Sequence, residues 1–397
     1  DGQFTIGEAS QFRVRSSSGD GMVVASMGTV INNGFLILRS SGANTIDGVA
    51  LRNSGGNITN QPSGTIRIEN VQDGIVNEAN GTFTNTGDLL FDISGPGTEA
   101  INRISGTFSN TGTILGDASN IILANSDIGG TFSPGQFTPG LISFTGSQGF
   151  LSGTTFVMDV EGTGAGEADR MQVGGALNLS TIDLTVNVNY TPTDGDVVEI
   201  ITASVFTGDF ASINLPVGWS VIVGASIRIR YETITTYIWT GAVSSAWANP
   251  ANWNVPAVPS PTIDVIIPEV STNDPVIGSL TQAQCRSMVI ESGGFVSIDD
   301  GRLDITNAQD TALIVAGELT NDSGALEIFA AGSMGIYVAS SGLLTNNGTV
   351  FHDKFDFING DFWQNAGTVI NTGTLDLQQA NGNVIENLAG GSFNNTG

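Results

Sequence analysis

The residues best suited to do chemistry in this 397-residue chain are gathered at His352-Asp353-Lys354. Asp356 and Asp361 follow closely, with Phe355, Phe357, Phe362 and Trp363 interleaved. The set holds the chain's only His and only Lys. Glycoside hydrolysis needs two carboxylates facing one groove. Eliminative cleavage of an acidic polysaccharide needs a positioned base, such as an Arg or Lys, and is helped by an Asp-bound cation that offsets the substrate's charge. In an extended strand His352, Lys354 and Asp356 would share one face, and Asp353 and Phe355 the other. Carried back by the 286-residue step from Gly56 to Gly342, the set falls on Ile66, Arg67, Ile68, Glu69 and Asn70, which offer nothing comparable. It reads as a solvated turn with an aromatic stack. No catalytic residue is assigned, and the chain is not expected to be an enzyme.

Two acidic groups could take Ca²⁺: Asp299-Asp300-Gly301 with Asp304, and Glu167 with Asp169. Neither reaches the ligand count of a dedicated loop, so the expectation is weak Ca²⁺ binding at most. No metal-binding or cofactor-binding residue is assigned. Asp300-Gly301 also fits a hairpin turn. The sequence contains no phosphate loop, no metal-ligand His pair and no nucleophile triad. The Asn-x-Ser/Thr triplets at Asn80, Asn178 and Asn347 are expected by chance in this composition. Cys285 is the single Cys, which excludes an intrachain disulfide and a Cys-based metal site.

What must position these residues is a repeat. Gly81-Thr82-Phe83-Thr84-Asn85-Thr86-Gly87 returns 25 residues later as Gly106-Thr107-Phe108-Ser109-Asn110-Thr111-Gly112. Looser copies begin at Gly28, Gly56, Gly317, Gly342, Gly367 and Gly391. In all eight units the third position is apolar: Val30, Ile58, Phe83, Phe108, Leu319, Leu344, Val369 and Phe393. The fifth is Asn in all eight: Asn32, Asn60, Asn85, Asn110, Asn321, Asn346, Asn371 and Asn395. A period near 25 with short alternating apolar runs signals a solenoid. β-branched residues dominate those runs, and no unit has helical periodicity, so the repeats are strands. Coils of about three strands would stack roughly 4.8 Å apart, about sixteen of them over the chain. Each Asn amide would then bond its counterpart in the next coil, and the apolar position would form an inward column.

Composition agrees. Gly numbers 53, 40% of residues are hydrophobic and only 13% are charged, which is not a disordered composition. The net charge is −26, with eleven Arg. That argues against nucleic acid and against anionic lipid. No apolar run reaches transmembrane length. Asp1 is not a translational start, so the chain is read as a mature or excised piece of something longer.

Four stretches follow in order. Residues 1–132 are coils. At Gly130-Thr131-Phe132-Ser133 the phrase recurs, but Pro134 takes the Asn place and the ladder breaks. Residues 133–238 carry Ser133-Pro134-Gly135, Thr138-Pro139-Gly140, the strand Leu141–Phe144, Asp169 before Met171-Gln172-Val173-Gly174-Gly175, Asp194-Gly195-Asp196 and Gly208-Asp209-Phe210. This order resembles the passenger-associated repeat of bacterial autotransporters and related adhesins. The resemblance covers about 133–215 and implies a β-solenoid stem of an exported surface protein. Residues 239–261 are a Trp/Pro-rich junction, Trp239-Thr240-Gly241, Trp247 and Ala251-Asn252-Trp253 with Pro256, Pro259 and Pro261. This resembles a segment common in large secreted Bacteroidetes proteins. It is read as a kinked element capping one solenoid before the next, with sugar stacking on Trp247 and Trp253 the lesser reading. From 262 to 397 the coils resume in matching order; Gly28 to Gly317 is 289 residues and Gly106 to Gly391 is 285. The expected native polypeptide is therefore a tandem array of units of about that length.

The expected fold is all-β: right-handed parallel β-helix segments with a β-rich module and the junction between them, the handedness coming from the resemblance and the crossover preference. The expected function is structural, a segment of an elongated extracellular or cell-surface stalk, adhesin or fibre. Its expected partners are neighbouring repeats or copies of itself, and surface polysaccharide or other cells. The alternative is a carbohydrate-active β-helix protein.

Overall fold

The computed structural model describes residues 2–15, 17–40, 45–93, 97–123, 128–135, 138–270, 272–352, 358–378 and 381–396. The described chain is a β-solenoid of about 15 turns. It divides into two compact units, Asp1–Thr233 and Ile234–Gly397.

Unit 1 begins as a three-sided coil. One side stacks Gln3–Ile6, Thr29–Asn32, Asn57–Asn60, Thr82–Asn85 and Thr107–Asn110, all parallel. The second stacks Gln11–Val14, Phe35–Arg39, Thr65–Glu69, Asp88–Ile93 and Thr113–Ile121. The third stacks Met22–Ala25, Val49–Ser54, Asp73–Glu78 and Glu99–Arg103. Strands of four to six residues alternate buried and part-exposed positions, so each coil sends one short apolar row inward. Val30, Ile58, Phe83 and Phe108 fall in one register column and are buried. The Phe83 and Phe108 rings stack 5.0 Å apart.

The recurring glycines follow from the coil spacing. A Cβ at Gly112 would lie 2.1 Å from the Gly87 carbonyl oxygen one coil earlier, and at Gly373 2.1 Å from that of Gly348. No other residue fits such a close backbone approach.

The cross-section changes at Thr113–Ile121. Its start pairs with Thr131–Ser133 and its end with Leu141–Phe144, so two parallel stacks leave one nine-residue strand. One continues through Thr154–Val160, Ile182–Val188 and Ser212–Asn214, the other through Arg170–Asn178 and Val197–Thr207. The Gly130 copy of the phrase thus leaves its expected column: it stacks on Thr113–Leu115, not on Thr107–Asn110. One hydrophobic core runs from Ile6 to Ile229, so residues 133–233 share it with the first coils. An antiparallel pair, Trp219–Val223 and Ser226–Tyr231, closes the stack against Val197–Thr207.

Unit 2 is three-sided, and the strands of its three sheets, of seven, six and five strands, all pair in parallel. Glu318–Asn321, Leu343–Asn346, Thr368–Asn371 and Ser392–Asn395 repeat the Asn-bearing side. Its core begins at Trp239, Trp247 and Trp253, whose rings pack edge to face at 4.9 and 4.7 Å.

Candidate functional site

The most elaborate side-chain arrangement in either unit is the Asn ladder. In unit 1 Asn32 Nδ2 donates to Asn60 Oδ1 at 2.7 Å, Asn60 to Asn85 at 2.7 Å and Asn85 to Asn110 at 2.6 Å. In unit 2 Asn321 donates to Asn346, Asn346 to Asn371 and Asn371 to Asn395, at 2.6–2.7 Å. All but Asn395 are buried. The second amide hydrogen caps the turn that follows; Asn85 Nδ2, for example, also reaches Gly87 O at 3.0 Å. A buried amide in water-free surroundings must find partners for both ends, and a copy one coil away supplies them at the strand spacing. Because the Gly130 phrase has moved onto Thr113–Leu115, it is Gly129 and not Pro134 that lies over Asn110; Asn110 Nδ2 donates to Gly129 O at 2.5 Å, and the ladder closes on a backbone carbonyl.

A second ladder, which sequence reading missed, runs on another corner. Asn53 donates to Asn77, and Asn365 to Asn387, each at 2.7 Å. The signal was present: each of these Asn stands two to four residues before a phrase-opening Gly (Gly56, Gly81, Gly367, Gly391). Part-exposed ion pairs tie coils together on the outside. Arg52 bridges Asp20 (2.5 Å) and Glu78 (3.3 Å), and Arg302 bridges Asp304 (2.5 Å) and Glu327 (2.6 Å). The hydrogen bond from Arg52 holds the Asp20 carboxyl below the usual range.

The candidate chemistry of residue 352 onward changes character. Asp353, Lys354, Phe355, Asp356 and Phe357 lie outside the described residues. His352 is not on a solvated turn: it ends the strand Thr349–His352 on the inward phase and is fully buried. Its ring stacks on Phe362 at 5.0 Å, and Nδ1 lies 2.8 Å from Ile328 O. Phe362 and Trp363 are also fully buried, Trp363 edge to face with Phe393 at 5.6 Å, and the expected stack with Phe355 and Phe357 lies outside the described residues. Asp361 instead accepts from Asn383 N (2.5 Å) and Gln364 Nε2 (2.8 Å).

The two Ca²⁺ candidates are committed elsewhere. Asp169, 1% exposed, accepts from Gly140 N and Asp159 N, both at 2.9 Å. Burial pushes its carboxyl up to about 7, against the pull of those two N–H groups and helped by the charges of Asp159 and Asp117. Glu167 accepts from Gly164 N at 2.7 Å. Asp304 is buried against Arg302 and Gln282, while Asp299 and Asp300 are exposed, Asp300 in a left-handed turn (φ 59°). Among the described residues no three His, Cys, Asp or Glu converge as a metal site.

Trp247 and Trp253 are 1% and 4% exposed and present no ring face to a sugar. Trp239 Nε1 donates to Asn273 O and Trp253 Nε1 to Trp247 O. Asn252, fully buried, accepts from Val243 N and Ser244 N and donates to Ala246 O, fixing the loop that carries the three rings. Packing accounts for this element.

Among the described residues no helix is long and apolar enough to cross a membrane. No curated protein and no solved structure matches the chain. A family model described as a domain of unknown function, DUF8693, matches residues 238–347, from the strand that opens the Trp cluster through the coils that begin the Asn321–Asn395 column of unit 2.

Proposed function

We propose that this chain is a structural repeat segment of an extracellular or cell-surface stalk, adhesin or fibre, without catalytic activity of its own. The observation that carries the reading is the unbroken hydrogen-bonded Asn column on consecutive coils in both units. In such a design each coil contacts only its neighbours, so length grows by addition without enlarging the core. Several charged side chains support it: Arg52 and Arg302 bridge neighbouring coils, and Asp169 and Glu167 accept from backbone amides. The −26 net charge disfavours nucleic acid; the partners proposed are further repeats of its own kind and surface polysaccharide or neighbouring cells.

The test is antibody labelling of intact source cells together with fractionation. Labelling of unpermeabilised cells, removed by external protease, is the expected result. A wholly cytoplasmic pool would refute it. So would turnover of acidic polysaccharides by the purified chain, followed by the ultraviolet absorbance of unsaturated uronates and abolished in His352→Ala.

A further inference from the structure

Units 1 and 2 build one coil from matching residues, yet only one of the two copies is covered. Gly2 O accepts from Thr29 N, and Gly294 O from Glu318 N, each at 2.9 Å. Ile6 stands in register with Asn32, as Ile298 does with Asn321. Phe12 stands in register with Leu36, as Leu303 does with Leu326. Phe4 and Phe12 therefore correspond to Val296 and Leu303. The two Phe are 38% and 39% exposed, edge to face at 5.0 Å, whereas Val296 and Leu303 are fully buried.

The difference is the segment 234–292. In unit 2 its strands Val276–Ile277, Gln282–Cys285 and Ser287–Ile290 lie on this coil, setting Ile277 on Ile298, Ala283 on Leu303 and Met288 on Leu313. The Trp cluster belongs to the same core. In unit 1 the outer edges of Gln3–Ile6, Gln11–Val14 and Met22–Ala25 pair with no strand among the described residues. Open strand edges above apolar side chains are surfaces that call for a partner.

We propose that this first coil of unit 1 is a docking face for a second copy of the Trp-rich segment 234–292, seated with Ile277 on Ile6, Ala283 on Phe12 and Met288 on Met22. The proposal rests on the tandem-stalk reading and names the joint between successive units. Small Ala283 leaves room for Phe12, which is bulkier than the Leu303 it replaces. The competing occupant is the last coil of another copy, stacked head to tail. It would set Asn395 on Ile6, and the amide that continues the ladder would meet an alkyl side chain instead of an acceptor.

The test uses the full chain extended at its N-terminus by a second copy of residues 234–292, joining Ser292 to Asp1. Amide hydrogen exchange at Gln3–Ile6 and Gln11–Val14 should slow by about tenfold or more relative to the unextended chain. The slowing should vanish when Trp239, Trp247 and Trp253 of the added copy are replaced by Ser. A second variant, with residues 234–316 in place of 1–27, seats the added segment on its own coil and shows that it folds. Protection in that variant without slowing in the first overturns the proposal. So does concentration-dependent growth of the unextended chain in sedimentation that Phe4→Asp abolishes, since head-to-tail copies would then own the face. The stalk reading fails by a different readout, the labelling of intact cells, which these variants leave untouched.

Discussion

Asn85→Ala is the perturbation that bears most directly on the ladder. Asn85 is fully buried and makes three side-chain bonds: from Asn60 Nδ2, to Asn110 Oδ1 and to Gly87 O. At about 1 kcal/mol net per bond, their loss costs about 3 kcal/mol. Leaving the Asn110 oxygen without that donor adds to this, whereas Asn60 Nδ2 keeps Gly64 O and Asp88 O. The working figure is about 3–4 kcal/mol, a factor of roughly 10² or more in the local opening equilibrium. Solenoids open by neighbouring coils and not all at once, so the assay is amide hydrogen exchange read strand by strand. Exchange at Asn57–Asn60, Thr82–Asn85 and Thr107–Asn110 should accelerate about a hundredfold, with unit 2 unchanged. Asn395→Ala, at an exposed position that loses one bond from Asn371, should cost about 1 kcal/mol or less. Equal effects at the two positions, or exchange near wild type for Asn85→Ala, would show that the amide column contributes nothing beyond turn geometry.

Other outcomes follow from the same geometry. The folded Asp169 carboxyl titrates at about 7 and its unfolded counterpart near 3.8. The folded form therefore holds an extra proton between those values, and the contribution to stability is full below about pH 4 and lost as pH rises through 7. Urea midpoints of unit 1 should fall across that window, and Asp169→Asn should flatten the slope while lowering the midpoint at acid pH. Trp253→Ala, which opens the aromatic cluster at the start of unit 2, should cost that unit about 3–5 kcal/mol and leave exchange in unit 1 unaltered. Burial drives the Cys285 thiol pKa well upward, so a thiol reagent should label it only after denaturant opens unit 2. Labelling at the rate of a free thiol in native buffer would contradict its placement.

How much was legible in advance differs from residue to residue. Asn85 and Phe83 were readable because their partners are copies of themselves one coil away: a parallel stack in register turns spatial neighbours into a sequence period. The recurring Gly belongs to the same class, since the coil spacing that aligns the Asn also brings backbone carbonyls against it. Asn53, Asn77, Asn365 and Asn387 were harder to see because their spacing drifts between 22 and 24 residues while the corner stays put. Turn length varies on that side, and strand pairing absorbs the variation.

From sequence alone came the strand-built solenoid, the Asn and apolar columns, the end of the first ladder after Asn110 (though not its cause) and the correspondence of the two coil runs. Each of these is a local pattern that recurs. Tertiary structure alone decided that His352 points into the core, that Asp169 serves Gly140 and Asp159, that the three Trp face one another, and that the Gly130 phrase moves to a different side. These depend on the phase of a single strand or on one contact made once between distant segments, and a contact made only once leaves no period in the sequence to read.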